Sequence, residues 1–344
     1  MATLLIMLKR FSLLLLLTLT SLQSYAQVDL KNEQKIQPKQ LKQLKQLKQL
    51  KQLKQQSSEQ NRQEKKLTVG ITLQPYYSYV KAVVGDQVNV LPLVDEGFNP
   101  HNYQPQANDL RRLNLMDVIV VNAIGHDDFA LKVIKAADRD DLIIIKANKD
   151  VPLLPAMGQS VGNGVVNPHT FVGVATTIQK VYSIANEMSK IDPDNAKLYR
   201  ANARAYALKF RKMKHKAMMN LSDINTAGMK VATTHNAYGY ILQEFGVQVS
   251  AVIEPAHGVE PSASQLQETI EKIKESGIDV LFYELNMPNR YVDTIEKETG
   301  IKLYRFSHMT HGAYRADKVE VEMRQNLNTL VEAMKFTAAQ KGGV

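Results

Sequence analysis

From residue 194 to residue 221 the chain contains neither glycine nor proline and is dense in alanine, lysine, arginine and methionine. Nothing in that stretch ends a helix. Just ahead of it, Asp192 suits an N-cap and Pro193 the first helical position, where a missing N–H costs nothing. Residues 192–221 therefore predict one bridging helix, whose roughly 27 residues after Pro193 make a rod of about 40 Å at 1.5 Å per residue. A chain of 344 residues exceeds what one ordinary core supports, and the rod separates an N-terminal part from a C-terminal one. Both parts repeat one grammar. Residues 67–73, 88–94, 118–121 and 142–145 read as short β-type runs, with helical patterns at 76–84, 109–115 and 173–190. Beyond the rod, 229–233, 249–253, 280–284 and 303–306 read as strands and 262–276, 289–299 and 319–338 as helices. Strands separated by helices indicate parallel βαβ units. The predicted fold class is α/β, with mainly parallel sheets in an N-terminal lobe (67–191) and a C-terminal lobe (222–344), bridged by the long helix.

The first 66 residues stand apart. Lys9-Arg10, an apolar run over 11–19 and the small-x-small site Ser24-Tyr25-Ala26 predict a cleavable signal peptide over 1–26, with the mature chain starting near Gln27. The apolar run is too short to span a bilayer. The sequence contains no cysteine, which predicts neither a lipidated anchor nor disulfides in an exported protein. The expected location is the periplasm. Residues 27–66 form a basic low-complexity segment in which Lys-Gln-Leu repeats five times from Lys39. A period of three smears its leucines around a helix, and six lysines without an acid repel one another. This reads as a disordered or transiently helical tether. Residues 1–66 hold 13 Lys or Arg against 4 Asp or Glu, which accounts for the whole net charge of +9. The remaining body is balanced, so a nucleic-acid-gripping surface is not expected.

Three histidines occupy matching settings: Asn99-Pro100-His101, Asn167-Pro168-His169 and Thr233-Thr234-His235. Each follows an apolar or glycine-containing stretch and opens a polar segment. Imidazole is the commonest protein ligand for a transition metal, and three with a fourth donor make a zinc-type site. Parallel sheets bind ligands at the carboxyl ends of their strands, and His101 follows the second strand. The other histidines read more plainly. His126, followed by two aspartates, reads as the cap region of a helix, because adjacent residues do not easily chelate one ion. His215 lies among lysines on the rod and reads as solvated; His257 reads as a loop residue. Residues 158–162 match G-x-S-x-G formally, but the strand before and helix after that the motif needs are missing.

With these pieces in place the chain resembles the zinc- and manganese-binding solute receptors of ABC importers, the TroA-like (cluster 9) family. The likeness is carried, in order, by Gly85-Asp86-Gln87-Val88, the stretch from Gly97 to Pro105 and Asn167-Pro168-His169. The segment from Ile191 to Ala196, that from Thr234 to Tyr240 and Glu260-Pro261-Ser262-Ala263 complete it. The resemblance implies two Rossmann-like lobes joined by a rigid helix, one metal in the cleft between them, small lobe motion, delivery to a membrane permease by a monomeric receptor, and no catalysis. It implies His101 and His169 as ligands from the first lobe and His235 from the second. A nitrogen donor at the third position, where manganese receptors tend to place a carboxylate, favours Zn²⁺ over Mn²⁺. The fourth position departs from the family's usual aspartate: Arg305-Phe306-Ser307-His308-Met309-Thr310-His311 contains no acid. His308, directly after the strand, is the expected fourth ligand, His311 the reserve, and Glu284 or Glu254 the expected partner of an imidazole N–H. The histidine-rich acidic loop of some zinc receptors is absent between His101 and His169. Two other classes stay open on the residues alone: an exported zinc-dependent hydrolase, should the fourth position hold water, and a surface adhesin acting through the basic arm.

Overall fold

The computed structural model describes residues 47–49, 51–52, 66–100, 102–156, 164–226, 228–253, 262–284 and 289–342. The signal peptide, most of the tether, His101, the G-x-S-x-G segment, Glu254 and His257 lie outside the described residues. Of the tether, residues 47–49 and 51–52 are helical. By its internal contacts the chain divides into Met1–Lys65 and Lys66–Val344. The second unit carries both sheets and all the histidines of the described residues.

Its first part runs β1 (Thr68–Ile71), α1 (Gln74–Val84), β2 (Asn89–Pro92), α2 (Ala107–Leu113), β3 (Val118–Val121), α3 (Asp128–Ala137) and β4 (Ile143–Lys146). A 3₁₀ turn (Thr170–Val172), α4 (Val174–Ile191), a second 3₁₀ turn (Pro193–Asn195) and α5 (Ala196–Met219) come next. The second part runs β5 (Lys230–Thr233), α6 (Gly239–Gln243), β6 (Gln248–Val252), α7 (Ala263–Ser276), β7 (Val280–Glu284), α8 (Asn289–Thr299), β8 (Lys302–Phe306) and α9 (Lys318–Gln340). The two sheets have the same order, β2-β1-β3-β4 and β6-β5-β7-β8, with every pair parallel. In that order the chain reverses its direction of winding between β1 and β3, and again between β5 and β7. The carboxyl ends at those two points are where such sheets place ligands.

The central strands are continuous apolar runs, Val-Ile-Val-Val in β3 and Val-Leu-Phe-Tyr in β7, because helices cover both faces of a parallel sheet. Side chains alternate between faces. In the second sheet Val231, Val280 and Phe282 enter the large core, while Ala232 and Leu281 enter a small separate cluster with Ile253, Ile270, Ile273 and Ile295. The large core also contains Val69, Ile71, Val118 and Val120 of the first sheet, so one apolar mass runs under both sheets.

The long helix departs from its expected start. Pro193–Asn195 forms a 3₁₀ turn and the α-helix begins at Ala196. The Asp192 carboxylate does not cap backbone N–H groups; it accepts from Asn195 Nδ2 (2.8 Å) and the Tyr199 hydroxyl (2.5 Å), stitching the turn between α4 and α5. The 24 residues of α5 span about 36 Å. Tyr199, Ala203, Tyr206, Ala207 and Phe210 form its buried stripe, at the i, i+3, i+4 spacing of one helix face. It packs on α4, α1 and α9. Helix α9 also packs on β8 and α1, so the last element of the chain ties the second sheet back to the first part. Among the described residues no helix is long and apolar enough to cross a membrane.

Candidate metal centre

The site is assembled from four loops at strand carboxyl ends. After β3, the loop from Asn122 to Asp127 is held by an acceptor, the Asp127 carboxylate. It takes hydrogen bonds from the Thr72 hydroxyl at the end of β1 (2.8 Å), the Asn122 N–H (2.6 Å) and the Ala123 N–H (3.1 Å). Burial pushes this carboxyl up to about 6, against the pull of those three donors. The Asn122 amide donates to the carbonyls of Gly125 (2.8 Å) and Pro168 (3.1 Å), and its Oδ1 accepts from the Tyr76 hydroxyl (2.5 Å) and Asn148 Nδ2 (2.8 Å). Asn148 Oδ1 accepts from the Thr170 hydroxyl (2.8 Å). One buried polar network therefore fixes the His126 loop to the His169 loop.

His169 is oriented by Asn167. Its Oδ1 accepts from the His169 N–H (3.0 Å) and lies 2.7 Å from His169 Nδ1, while its Nδ2 donates to the Asn236 carbonyl across the cleft (2.9 Å). The two backbone partners fix which end of the amide is oxygen. Nδ1 of His169 must then carry the proton, leaving Nε2 as a lone pair. That lone pair lies 2.9 Å from Nε2 of His235, in the loop after β5. The His308 loop follows β8. Asn326 of α9 clamps it by accepting from the Ser307 N–H (2.7 Å) and donating to the Ser307 carbonyl (2.9 Å), and His308 Nδ1 lies 2.7 Å from the Thr310 hydroxyl.

His169, His235 and His308, picked out in the sequence from three distant segments, thus converge, and all three are buried. Ring centroids lie 4.6 Å (His169–His235), 5.0 Å (His169–His308) and 5.2 Å (His235–His308) apart. Phe171 packs against His169 and His308. His311 stands farther out. Its centroid is 6.4 Å from that of His308, its Nδ1 is 3.3 Å from Glu284 Oε1, and it is half-buried at the rim of a pocket of about 300 Å³. Burial, and to a lesser extent Lys318, lowers its pKa. Glu284 ends β7 with Oε1 3.8 Å from His308 Nδ1, and burial pushes its carboxyl up to about 7.

His126 adds to the sequence reading. It lies in the cap region of α3, beside the N-cap Asp127. It is 7 % exposed, its ring lies 4.6 Å from His169 and 5.4 Å from His308, and its nitrogens join theirs within 4.8 Å. The rule that points to strand carboxyl ends, applied to the third strand as well as the second, finds it. The neighbouring Asp127 points away, to Thr72.

Two sheets with ligand-type side chains at their facing carboxyl ends, sharing a core and backed by one long helix, define a two-lobed α/β solute receptor with a metal-type cleft. Residues 69–333 match the family described as zinc-uptake complex component A periplasmic (ZnuA), and the chain belongs to that family. The chain is similar to the zinc-binding lipoprotein AdcA of Streptococcus pneumoniae, 27 % identical over 290 residues, which cover 80 % of this chain and 57 % of AdcA. It thus spans little more than half of that relative. Among solved structures it is similar to FpvC of Pseudomonas aeruginosa in complex with Ni²⁺, at 47 % identity and TM-score 0.74, over 81 % of this chain and 99 % of FpvC. The FpvC complex with Mn²⁺ matches at 48 % identity and TM-score 0.73, over 79 % and 99 %.

Proposed function

We propose that this protein captures one divalent transition-metal ion at the carboxyl ends of its two sheets and delivers it to the permease of an ABC importer. The donors are His101, His169, His235 and His308. The convergence of His169, His235 and His308 from segments more than 60 residues apart in sequence carries this reading. Uncharged nitrogen donors suit borderline ions and rank Zn²⁺ above Mn²⁺; zinc is also the metal for which AdcA is named. Asn167 supports the site by orienting His169, as the outer partners of ligating histidines do. Export by residues 1–26 into the periplasm, without a cysteine-linked lipid, a flexible tether over 27–66, a monomeric state and the absence of catalysis belong to the same proposal. Titration of the metal-stripped protein with Zn²⁺ tests it. One equivalent binds, His169→Ala abolishes binding, and His215→Ala, on the exposed face of α5, leaves it unchanged. A wild-type protein that takes up no equivalent of any first-row divalent ion refutes the reading.

A further inference from the structure

Helix α5 carries an outer face that works against its own stability. Its 24 residues contain eight Lys or Arg and no Asp or Glu. Two of these cations are satisfied at the flanks, where Lys209 pairs with Glu320 (2.9 Å) and Lys214 with Glu244 (2.7 Å). Arg211 lies over the Tyr182 ring. The other five, Lys197, Arg200, Arg204, Lys212 and Lys216, are exposed and make no ion pair among the described residues. Arg200 and Arg204 stand four residues apart, as do Lys212 and Lys216, and like charges at that spacing repel. Lys197 sits in the first turn, where the helix dipole opposes a cation. Nothing inside the protein compensates these costs, whereas an external anion would.

The face is not purely ionic. Leu208, Met218 and Met219 are 50 %, 49 % and 58 % exposed. At about 100° per residue, Lys197, Arg204, Leu208, Lys212 and Met219 share an arc of about 80°, opposite the buried Tyr199, Tyr206 and Phe210. Cations and apolar side chains mixed on one helix face, about 36 Å long, match an anionic bilayer. There the apolar groups enter the headgroup layer while Lys and Arg reach the phosphates. An acidic protein surface would satisfy the cations alone. The rest of the body adds a direction. Residues 67–344 hold 30 basic and 30 acidic side chains, and eight of the basic ones lie on α5, leaving 22 against 30 elsewhere. A negatively charged surface therefore attracts α5 and repels the remainder, which orients the molecule.

We propose that the exposed face of α5 is a peripheral membrane-contact surface, which lays the protein reversibly on a bilayer rich in anionic phospholipid. The contact is independent of the metal centre. On the receptor reading its consequence is that the loaded protein searches for its permease along the membrane face rather than through the surrounding volume.

The test uses the full chain and co-sedimentation with vesicles, phosphatidylglycerol mixed with phosphatidylcholine against phosphatidylcholine alone. Wild type binds the anionic vesicles and not the neutral ones, and salt at about 1 M releases it. Because the N-terminal arm is also basic, a variant with Lys42→Gln, Lys45→Gln, Lys48→Gln and Lys51→Gln serves as the second background. In that background Arg200→Gln, Arg204→Gln, Lys212→Gln and Lys216→Gln together lower affinity for anionic vesicles by about 30-fold or more, the effect of two or more cations at the surface. Leu208→Ser with Met219→Ser lowers it by about tenfold at unchanged charge. Both sets of changes keep the Zn²⁺ affinity of wild type, and the charge variant melts no lower, since two repulsive pairs are gone. A wild type that ignores anionic vesicles overturns the inference, as does a charge variant that binds them like its parent. A Leu208→Ser, Met219→Ser protein that binds like its parent also overturns it, and leaves the face to an acidic protein. Failure of the metal reading shows separately, as loss of Zn²⁺ uptake in the wild type.

Discussion

Asn167 offers the sharpest test of how the site is built, because one amide does three separable things. It is 3 % exposed, accepts from the backbone N–H and Nδ1 of His169, and donates to the carbonyl of Asn236. Asn167→Ala removes all three bonds. The two neutral tautomers of a free imidazole are close in energy, so losing the tautomer lock alone halves the competent population, about 0.4 kcal/mol. Losing ring orientation as well brings the cost to the range typical of such partners, about 10- to 100-fold in metal affinity, or about 1.4–2.7 kcal/mol. Asn167→Asp keeps the acceptor for Nδ1 and strengthens it. It therefore restores metal affinity to within a few-fold of wild type, while its contact with the Asn236 carbonyl becomes repulsive and the metal-free protein melts lower. Competition against a chromophoric chelator measures the first effect and calorimetry of the metal-free protein the second. An alanine variant that binds as tightly as wild type, or an aspartate variant as weak as alanine, refutes the assignment of Asn167 as the group that orients His169.

Other outcomes come from the body of the fold. Lys180 of α4 is fully buried, and among the described residues its Nζ has no hydrogen-bond partner; burial holds its pKa well below 10.5. Lys180→Met should add about 1–3 kcal/mol and raise Tm by several degrees in thermal melts. Because the unfolded chain binds a proton that the native state has released, wild-type stability rises with pH up to about 10.5, and this rise is lost in Lys180→Met. Gly173→Ala places a Cβ 2.6 Å from Thr176 Oγ1 and 2.9 Å from Tyr240 Cβ; a loss of about 1–3 kcal/mol is expected in denaturant titration, and an unchanged midpoint would contradict it. Asp138 ends α3 at φ 47°, so Asp138→Gly should stabilise by about 0.5–1 kcal/mol in the same assay.

How much of this is legible in the sequence depends on range. The strands are, since β3 and β7 are continuous apolar runs bounded by turn residues and fall where the pattern places them. The capping box of α7, Ser262 with Gln265, is equally local. His169 and His235 are legible because each opens a polar segment after an apolar or glycine-containing one, and His308 because it directly follows β8, where the resemblance expects a fourth donor. His126 is not, because what aims it is a carboxylate bonded to Thr72, 55 residues earlier, together with positive φ angles that no residue type at 123 or 126 announces. Asp192 shows the opposite failure. Its sequence context fits an N-cap, yet the Tyr199 hydroxyl seven residues later competes for the carboxylate and wins. That both sheets share one core is invisible to strand-by-strand reading, since it depends on which face of β5 and β7 enters the large core.

That shared core bears on how the cargo leaves. Parting the two sheets would expose residues such as Phe282, Phe306 and Met323, all buried in the common mass, at about 25 cal/mol for each Å² of apolar surface wetted. Wide opening is therefore costly, and for the metal bound as proposed local loosening at the loops is the cheaper way out. The His308 loop is the one whose anchor, Asn326, sits on the terminal helix α9 rather than beside the sheet. On the proposed assignment of His308 as a donor, a partner that shifted α9 by a fraction of a turn would relax it through Asn326 without unfolding a lobe, and the receptor alone would behave as a slow-release reservoir.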